Sequence, residues 1–303
     1  MKIVIAGGTG FLGRPLIRAL AADGRDVVVL TRGRAEPAIR EARSVTWTPT
    51  GDAGPWAEEL SGAAAVVNLA GEPIAARRWS NTQKQRILDS RLLATRSLTA
   101  AIRAAAQPPG TLVNGSAVGF YGPLGDEIAT EERQAGSDFL ADVCVKWESE
   151  AARAASPTTR VVCIRTGLVL ENDGGALPRM LLPFKFGAGG PVGSGRQYWP
   201  WIHRDDWVAL IRWTIDTSSA TGAINATAPN PVTNAAFAAA LGRVMHRPAF
   251  MPAPGFALRI ALGEMADGLL LSGQRAIPAK AEHLGFRFRF TEVEEALRAV
   301  LEH

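Results

Sequence analysis

The sequence predicts a doubly wound α/β protein of the Rossmann type, with a smaller C-terminal lobe. Three observations lead to this prediction. Short runs of β-branched residues alternate with amphipathic helical stretches through the first third of the chain, a pattern typical of a parallel sheet. A glycine-rich turn directly follows the first of these runs. The chain has 303 residues, 47% of them hydrophobic and 20% charged, which is enough to bury a sizeable core.

The expected elements follow one another along the chain. Apolar runs predict strands at residues 3–6, 26–30, 45–47, 65–69 and 111–115, and periodic apolar residues predict helices at 11–22 and 82–106. The next predicted elements are helices at 138–155, 205–216 and 234–245, strands at 160–170 and 223–228, and an apolar segment at 258–271. Residues 174–200 are rich in Gly and Pro but carry aromatic side chains, so we expect a long functional loop there.

Composition argues against several classes of protein. The 33 basic and 29 acidic residues are interspersed, so we expect no nucleic-acid partner. No apolar run reaches the roughly 20 residues of a membrane span, so we expect no membrane partner. Cys144 and Cys163 cannot form a disulfide framework, and the four histidines are too scattered for a metal centre. A reducing, cytoplasmic location is therefore expected.

The glycine-rich turn has the arrangement Gly-x-x-Gly-x-x-Gly between a predicted strand and a predicted helix. It consists of Gly7, Gly8, Thr9, Gly10, Phe11, Leu12 and Gly13. Glycines there permit a tight turn and a close approach of backbone to a pyrophosphate, and the helix N-terminus supplies free N–H groups. An ordinary glycine turn is the alternative, but the strand, turn, helix and second strand together favour a dinucleotide site.

The end of the second predicted strand indicates which dinucleotide binds. Thr31 and Arg32 stand roughly 20 residues after the turn, where an NAD site carries an acid that accepts hydrogen bonds from the ribose. A guanidinium can instead bind the 2′-phosphate of NADP through two hydrogen bonds. Arg32 and the Thr31 hydroxyl therefore favour NADP, and a solvated surface arginine is the alternative.

Small residues after the fourth predicted strand suggest more of the same site. Leu69, Ala70, Gly71 and Glu72 follow this strand and would let backbone pass close to a nucleotide. Arg77 lies within reach of the same edge and could complement phosphate charge. A solvated pair of arginines, Arg77 with Arg78, explains these residues equally well.

These motifs suggest two domains. Residues 1–170 form an expected NADP-binding Rossmann domain, to which a later strand at 223–228 returns. Residues 171–303 supply mainly a substrate lobe and a C-terminal domain.

Further segments make the chain resemble a known family. They are the 7–13 turn and residues 68–71, 115–122, 139–148, 165–167, 201–206, 225–234 and 263–286. In combination they resemble the extended short-chain dehydrogenase/reductase superfamily, and within it the atypical epimerase-like branch described as NAD(P)-dependent nucleoside-diphosphate-sugar epimerases. The resemblance covers essentially the whole chain. Relatives of this kind commonly form homodimers through helices that flank the sheet, although the sequence does not fix the oligomeric state.

The resemblance implies a catalytic Ser, a Tyr acting as acid and base, and a Lys four residues after the Tyr that binds the nicotinamide ribose. Lys146 is therefore expected to contact that ribose even without its usual Tyr partner. Lys146 matches the Lys, but Asp142 stands at the Tyr position, and an unperturbed carboxyl group is ionised at neutral pH. Ser116 lies one residue before the usual Ser position, which holds Ala117. The superfamily mechanism therefore needs a substitute proton donor.

Tyr121 is a candidate for that role, because it lies just beyond the fifth predicted strand, and an ordered water held by Ser116 is the other candidate. The alternative is a packed aromatic ring whose hydroxyl finds a local partner. His203 is expected to cap a helix, and Trp201 is expected to anchor the packing of the lobe.

Two functions of different class remain open. The first is an NADP-dependent oxidoreductase or epimerase that acts on a small carbonyl, hydroxyl or sugar-nucleotide substrate. The second is a non-catalytic NADPH-binding sensor or interaction protein, which the missing Tyr favours. The fold alone does not decide between them.

Overall fold

The computed structural model describes residues 1–33 and 40–302. The strands are β1 (Lys2–Ala6), β2 (Asp26–Thr31), β3 (Arg43–Thr46), β4 (Ala65–Asn68), β5 (Thr111–Ala117), β6 (Ile128–Ala129), β7 (Arg160–Thr166), β8 (Leu168–Leu170), β9 (Tyr198–Trp199), β10 (Trp201–His203), β11 (Gly222–Ala226), β12 (Val232–Thr233) and β13 (Arg275–Ala276). The α-helices are α1 (Gly13–Ala22), α2 (Asn81–Ala104), α3 (Phe139–Ala152), α4 (Leu177–Lys185), α5 (Arg204–Asp216), α6 (Asn234–Val244), α7 (Gly255–Leu262), α8 (Glu264–Ala266), α9 (Ala279–His283) and α10 (Val293–Leu301).

Seven strands form one parallel sheet in the order β11-β7-β5-β4-β1-β2-β3. This arrangement confirms the predicted Rossmann-type α/β fold. The strand order reverses at β1, which lies between β4 and β2. In sheets of this kind the crevice outside the carboxyl ends of the strands at such a point is where ligands bind.

Helices cover both faces of the sheet. On one face, α1 buries Leu16, Ile17 and Leu20, which recur at helical spacing, and they join Trp207 and Ile211 of α5 in one apolar cluster. On the opposite face, α2 and α3 contribute a second apolar cluster that includes Leu98, Ile102 and Ala151. Because both faces are covered, the central strands β1, β2 and β4 are mainly apolar.

The later part of the chain returns to the sheet before it forms the lobe. Strand β11 pairs in parallel with β7, so the late strand predicted at residues 223–228 is present at Gly222–Ala226. Helix α5 also packs on the sheet. A third apolar cluster, which contains Leu181, Phe237 and Leu297, joins α4, α6 and α10 in a separate lobe. The division of the chain at residue 170 stays a prediction.

Two expected elements differ in the structure. Residues 174–200 were expected to form a long loop, but they contain helix α4, whose buried Leu177, Leu181 and Phe184 recur at helical spacing. The strand expected at 160–170 is divided into β7 and β8. The division falls at Gly167, where a Cβ atom would lie 2.4 Å from the Pro200 carbonyl oxygen, and β8 then pairs with β10 instead of the main sheet.

Within residues 1–33 and 40–302, no helix combines the length and the apolar character that crossing a membrane requires. In the same part of the chain, no group of three or more His, Cys, Asp and Glu side chains is placed to hold a metal ion. Cys144 and Cys163 are both buried free thiols.

Candidate functional site

The glycine-rich turn lies at the carboxyl end of β1 and is held tightly by its neighbours. Gly7 adopts a φ of +79°, and a Cβ atom there would lie 2.6 Å from the backbone of Leu69. A Cβ atom at Gly13 would lie 2.5 Å from the Cα of Gly8. A side chain at Gly7 would push the turn away from the chain that follows β4, and a side chain at Gly13 would push α1 away from the turn. Glycine is therefore required at both positions.

Helix α1 begins directly behind this turn with its N-terminus open. Its N-cap residue, Leu12, provides no side-chain hydrogen bond, and the first turn contains no acidic residue. The first N–H groups of a helix have no partner within the helix, and they carry a partial positive charge. The arrangement therefore fits an anion such as a pyrophosphate.

Other predicted residues lie along the same edge. Strand β2 ends at Thr31, and Arg32 follows it with an exposed side chain. Phe11 in the glycine-rich turn packs against the later chain, since a Cβ atom at Gly174 would lie 2.6 Å from its ring. Arg77, which was predicted for this edge, is exposed.

A buried polar cluster, which sequence reasoning missed, fixes the ends of β4 and β5. Asn68 Nδ2 donates to Asn114 Oδ1 at 2.7 Å and to Thr95 Oγ1 at 2.9 Å. Trp147 Nε1 also donates to Thr95 Oγ1, at 2.9 Å. The backbone N–H of Ala70 donates to Asn68 Oδ1 at 3.2 Å. This cluster therefore sets the path of the chain from Leu69 onward, along the edge where a nucleotide would lie.

Arg91 on α2 is a second residue that the sequence did not reveal as part of the site. Its Nη1 donates to the carbonyl oxygens of Ile87 at 3.0 Å and Glu72 at 3.1 Å, and its guanidinium carbon lies 5.0 Å from the centroid of the Trp147 ring. Gly71 makes room for it, because a Cβ atom there would lie 3.2 Å from the guanidinium carbon. Burial lowers the pKa of Arg91, and the charges of Cys144 and Glu72 offset part of this effect.

Ser116 belongs to a buried ionic cluster with α3 and β7. Ser116 Oγ donates to Glu148 Oε1 at 2.6 Å, and Arg165 donates to both carboxylate oxygens of Glu148 at 2.9 Å. Burial would lower the pKa of Arg165, but its hydrogen bonds to Glu148 and the charge of that carboxylate outweigh burial and raise it. The Glu148 carboxylate therefore accepts the hydrogen bond of the Ser116 hydroxyl and fixes the direction in which that proton points.

Tyr121 lies in the interior, with 1% of its surface exposed. Its hydroxyl donates to Asn225 Oδ1 at 2.7 Å and accepts from Arg165 Nη1 at 3.0 Å. Burial raises the pKa of this phenol, an effect that Arg165 partly offsets. These contacts match the alternative of a packed aromatic ring with local partners and argue against direct proton transfer from Tyr121. Its catalytic role stays a prediction.

Lys146 lies on the outward side of α3. Its Nζ donates to Asp142 Oδ2 at 2.7 Å, and the two side chains are 50% and 49% exposed. This placement argues against the predicted contact between Lys146 and the nicotinamide ribose, which remains untested. The physical reason is helix phase: residues 142 and 146 share one face of α3, and that face is turned to solvent.

The inward side of α3 carries different residues four apart. Leu140 packs against the turn after β5, since a Cβ atom at Gly119 would lie 3.2 Å from it. Cys144 is buried, and its thiol donates a weak hydrogen bond to the Ala117 carbonyl oxygen at 3.7 Å. Burial raises the pKa of this thiol to about 11. An apolar side chain and a neutral thiol therefore face the end of β5 from α3.

The predictions of a helix cap at His203 and a packing anchor at Trp201 agree with the structure. His203 is the N-cap of α5, and its Nδ1 accepts a hydrogen bond from the Asp205 backbone N–H at 3.1 Å. Burial lowers the pKa of this imidazole, which favours the neutral form that can accept. Trp201 is fully buried in the lobe cluster, as expected of a packing anchor.

Comparison with known proteins gives relatives over the whole chain. The chain is 41% identical over 305 residues to the epimerase family protein SDR39U1 homolog, chloroplastic, of Arabidopsis thaliana, covering 100% of this chain and 87% of the relative. It is 44% identical over 296 residues to the epimerase family protein Mb2239 of Mycobacterium bovis, covering 97% of this chain and 96% of the relative.

A solved structure and two sequence families match as well. The crystal structure of human epimerase family protein SDR39U1 (isoform 2) with NADPH superposes with a TM-score of 0.91 at 36% identity, covering 100% of this chain and 99% of that one. A domain of unknown function, DUF1731, matches residues 253–300. The NAD dependent epimerase/dehydratase family matches residues 3–227, most of the chain, and the chain therefore belongs to that family.

Proposed function

We propose that the chain binds NADP and transfers a hydride between the nicotinamide and a small carbonyl, hydroxyl or sugar-nucleotide substrate. The observation that carries this proposal is the open N-terminus of α1, which lies behind a turn that only glycine fits. It offers N–H donors and partial positive charge for the pyrophosphate. The solved human relative is a complex with NADPH, which supports the same cofactor here.

Arg32 supports NADP over NAD. Its exposed side chain follows β2, the neighbour of β1, where the adenosine ribose of a bound dinucleotide would lie. A guanidinium there can form charge-assisted hydrogen bonds with the 2′-phosphate, and no carboxylate stands at this position to repel it.

Titration of NADPH and NADH into the apo protein tests the cofactor. We expect a clear preference for NADPH, and Arg32→Ala should weaken NADPH binding by about 1.5–3 kcal/mol while leaving NADH almost unchanged. Arg18→Ala is the matched control, because Arg18 is an exposed arginine of α1 and its loss should change neither affinity. Equal affinity of the parent protein for both nucleotides would refute the assignment.

The transfer reaction needs a proton source other than the superfamily Tyr and Lys. Leu140 and Cys144 occupy the inward side of α3, and the Ser116 hydroxyl is engaged by Glu148. We propose that an ordered water near Ser116 supplies the proton, because the phenol of Tyr121 is buried with both its hydrogen-bonding positions occupied. The support for enzymatic turnover is the family itself, which is described as epimerases and dehydratases.

A non-catalytic NADPH sensor is the second candidate, and the inward Leu140 and Cys144 favour it. A screen of carbonyl compounds for NADPH oxidation separates the two. Turnover of at least one substrate class, lost in a variant that no longer binds NADPH, supports the enzyme. Tight NADPH binding with no turnover across a broad screen supports the sensor. The cytoplasmic location remains a prediction, since the Arabidopsis relative is described as chloroplastic.

A further inference from the structure

The Arg91 guanidinium has few partners for a partly buried arginine. Arg160 also binds only carbonyl oxygens, but it donates to three of them through both Nη1 and Nη2. Arg165 is paired with Glu148, and Arg204 is paired with Glu171 at 2.8 Å. Arg91 contacts two carbonyl oxygens through Nη1 alone, and no carboxylate of a described residue lies within 4.0 Å of it. Carbonyl dipoles do not neutralise a full charge, and Arg91 keeps Nε and Nη2 for a further acceptor, so it is able to bind an anion.

Its side chain is also fixed in advance. The two carbonyl bonds, the Trp147 ring and the space left at Gly71 hold the guanidinium between the loop after β4 and helix α3. Nε and Nη2 form no hydrogen bond to a described residue. Two neighbouring donors of a guanidinium match the two oxygens of a carboxylate or phosphoryl group.

The position of Arg91 along the sheet separates it from the cofactor's phosphates. The pyrophosphate belongs at the N-terminus of α1, beside β1, and the 2′-phosphate at Arg32, beside β2. Arg91 lies on the other side of β1, next to the ends of β4 and β5. A dinucleotide that crosses the crevice places its nicotinamide half at this end.

We infer that Arg91 binds an anionic group of the substrate, a carboxylate or phosphoryl group, beside the nicotinamide half of the cofactor. The inference rests on the proposed dinucleotide site and defines the substrate class more closely. The substrate is then a small carbonyl or hydroxyl compound that carries a carboxylate or a phosphoryl group, including the diphosphate of a sugar nucleotide.

Anion binding to the preformed NADPH complex tests this inference. Oxalate and inorganic phosphate serve as probes, each titrated calorimetrically into the complex of the full chain. We expect both or one of them to bind, and Arg91→Gln to weaken that binding at least tenfold while NADPH affinity changes less than threefold. Arg91→Lys should keep part of the affinity, because it retains the charge but loses the paired donors. Arg86→Gln is the matched control, since Arg86 is an exposed arginine of the same helix.

The outcomes separate the inference from the proposed function. Failure of the parent protein to bind NADPH would refute the cofactor site itself. If NADPH binds but neither probe does, or if Arg91→Gln binds the probes unchanged, only the role of Arg91 is refuted. If Arg91→Gln lost NADPH affinity as strongly as it lost probe affinity, Arg91 would be assigned to an anionic group of the cofactor. That result would overturn the inference. Should Arg91→Gln not fold, Arg91→Lys tests the inference alone, because it keeps the charge and should bind the probes more weakly than the parent protein while NADPH affinity stays unchanged.

Discussion

Removal of the Glu148 carboxylate is expected to destabilise the fold severely. Glu148 accepts hydrogen bonds from Ser116 at 2.6 Å and from two nitrogens of Arg165 at 2.9 Å. The Arg165 side chain is 6% exposed and the Glu148 side chain 14%, so water has little access to replace the carboxylate. Glu148→Ala therefore leaves a buried guanidinium without its counter-ion.

The size of the effect follows from this burial. Breaking a buried pair by removing one partner costs about 3–5 kcal/mol, whereas an exposed pair contributes about 0–1 kcal/mol. Arg43 and Glu59 provide the exposed comparison, with side chains 53% and 22% exposed. Since each 1.4 kcal/mol is roughly tenfold, Glu148→Ala should raise the unfolding constant by about 10²- to 4 × 10³-fold, and Glu59→Ala by less than about tenfold.

Urea unfolding followed by tryptophan fluorescence measures this difference through the midpoint at constant m-value. The double variant Glu148→Leu with Arg165→Met removes both charges and should recover most of the lost stability. A loss of about 1 kcal/mol or less in Glu148→Ala, similar to Glu59→Ala, would refute the reasoning. It would mean that solvent or the Tyr121 hydroxyl satisfies Arg165 without Glu148.

Three further predictions concern the same region and the glycine-rich turn. Gly13→Ala should destabilise the fold by about 1–3 kcal/mol and weaken NADPH binding, because its Cβ would lie 2.5 Å from Gly8. Gly125→Ala is the control and should leave both unchanged, because a Cβ atom there meets no atom of the described residues within 4 Å. Tyr121→Phe should cost about 1–3 kcal/mol in urea unfolding, because it leaves buried polar partners unsatisfied, and an unchanged midpoint would contradict that account. The Cys144 thiol has a pKa raised to about 11 by burial, so it should resist thiol reagents in the native state at pH 8. Because the folded state favours the neutral thiol, the raised pKa of Cys144 adds to the free energy of unfolding. This contribution is complete below the unfolded thiol's pKa near 8.5 and is lost as pH rises toward about 11. Cys144→Ala should therefore flatten the decline of stability with rising pH.

Sequence patterns predicted the sheet well because its signals are local. Strands β1, β2 and β4 are short, mainly apolar runs, and β11 is a similar run later in the chain. Helix α4 was not predicted because glycines and prolines surround it in the sequence. Its apolar side chains can be identified as core residues only from their contacts within the lobe. The break between β7 and β8 had a visible signal in Gly167, but its cause, the close approach of Pro200, is a tertiary contact.

The residues of the candidate site also divide into those with a local sequence signal and those that only tertiary contacts bring together. The glycine-rich turn and Arg32 could be predicted because one continuous segment contains the whole motif. The Glu148 and Arg165 pair could not, since its members come from a helix and a strand, although a charged residue within the apolar run of β7 indicates a buried partner. Lys146 was chosen by its distance from the expected Tyr position, and the phase of α3 directs it to solvent.

The two halves of the crevice therefore differ in what they require of the chain. The half at β1 and β2 provides glycines and an arginine, which suit the pyrophosphate and the 2′-phosphate of NADPH. The half at β4 and β5 keeps Arg91 partly buried, with no carboxylate of a described residue within 4.0 Å. Such a charge lowers the stability of the fold, and a bound anion would restore it. If Arg91 binds the substrate, as we infer, it provides a fixed point that orients the substrate against the nicotinamide. The titrations of oxalate and phosphate into the NADPH complexes of the parent protein and of Arg91→Gln test this role directly.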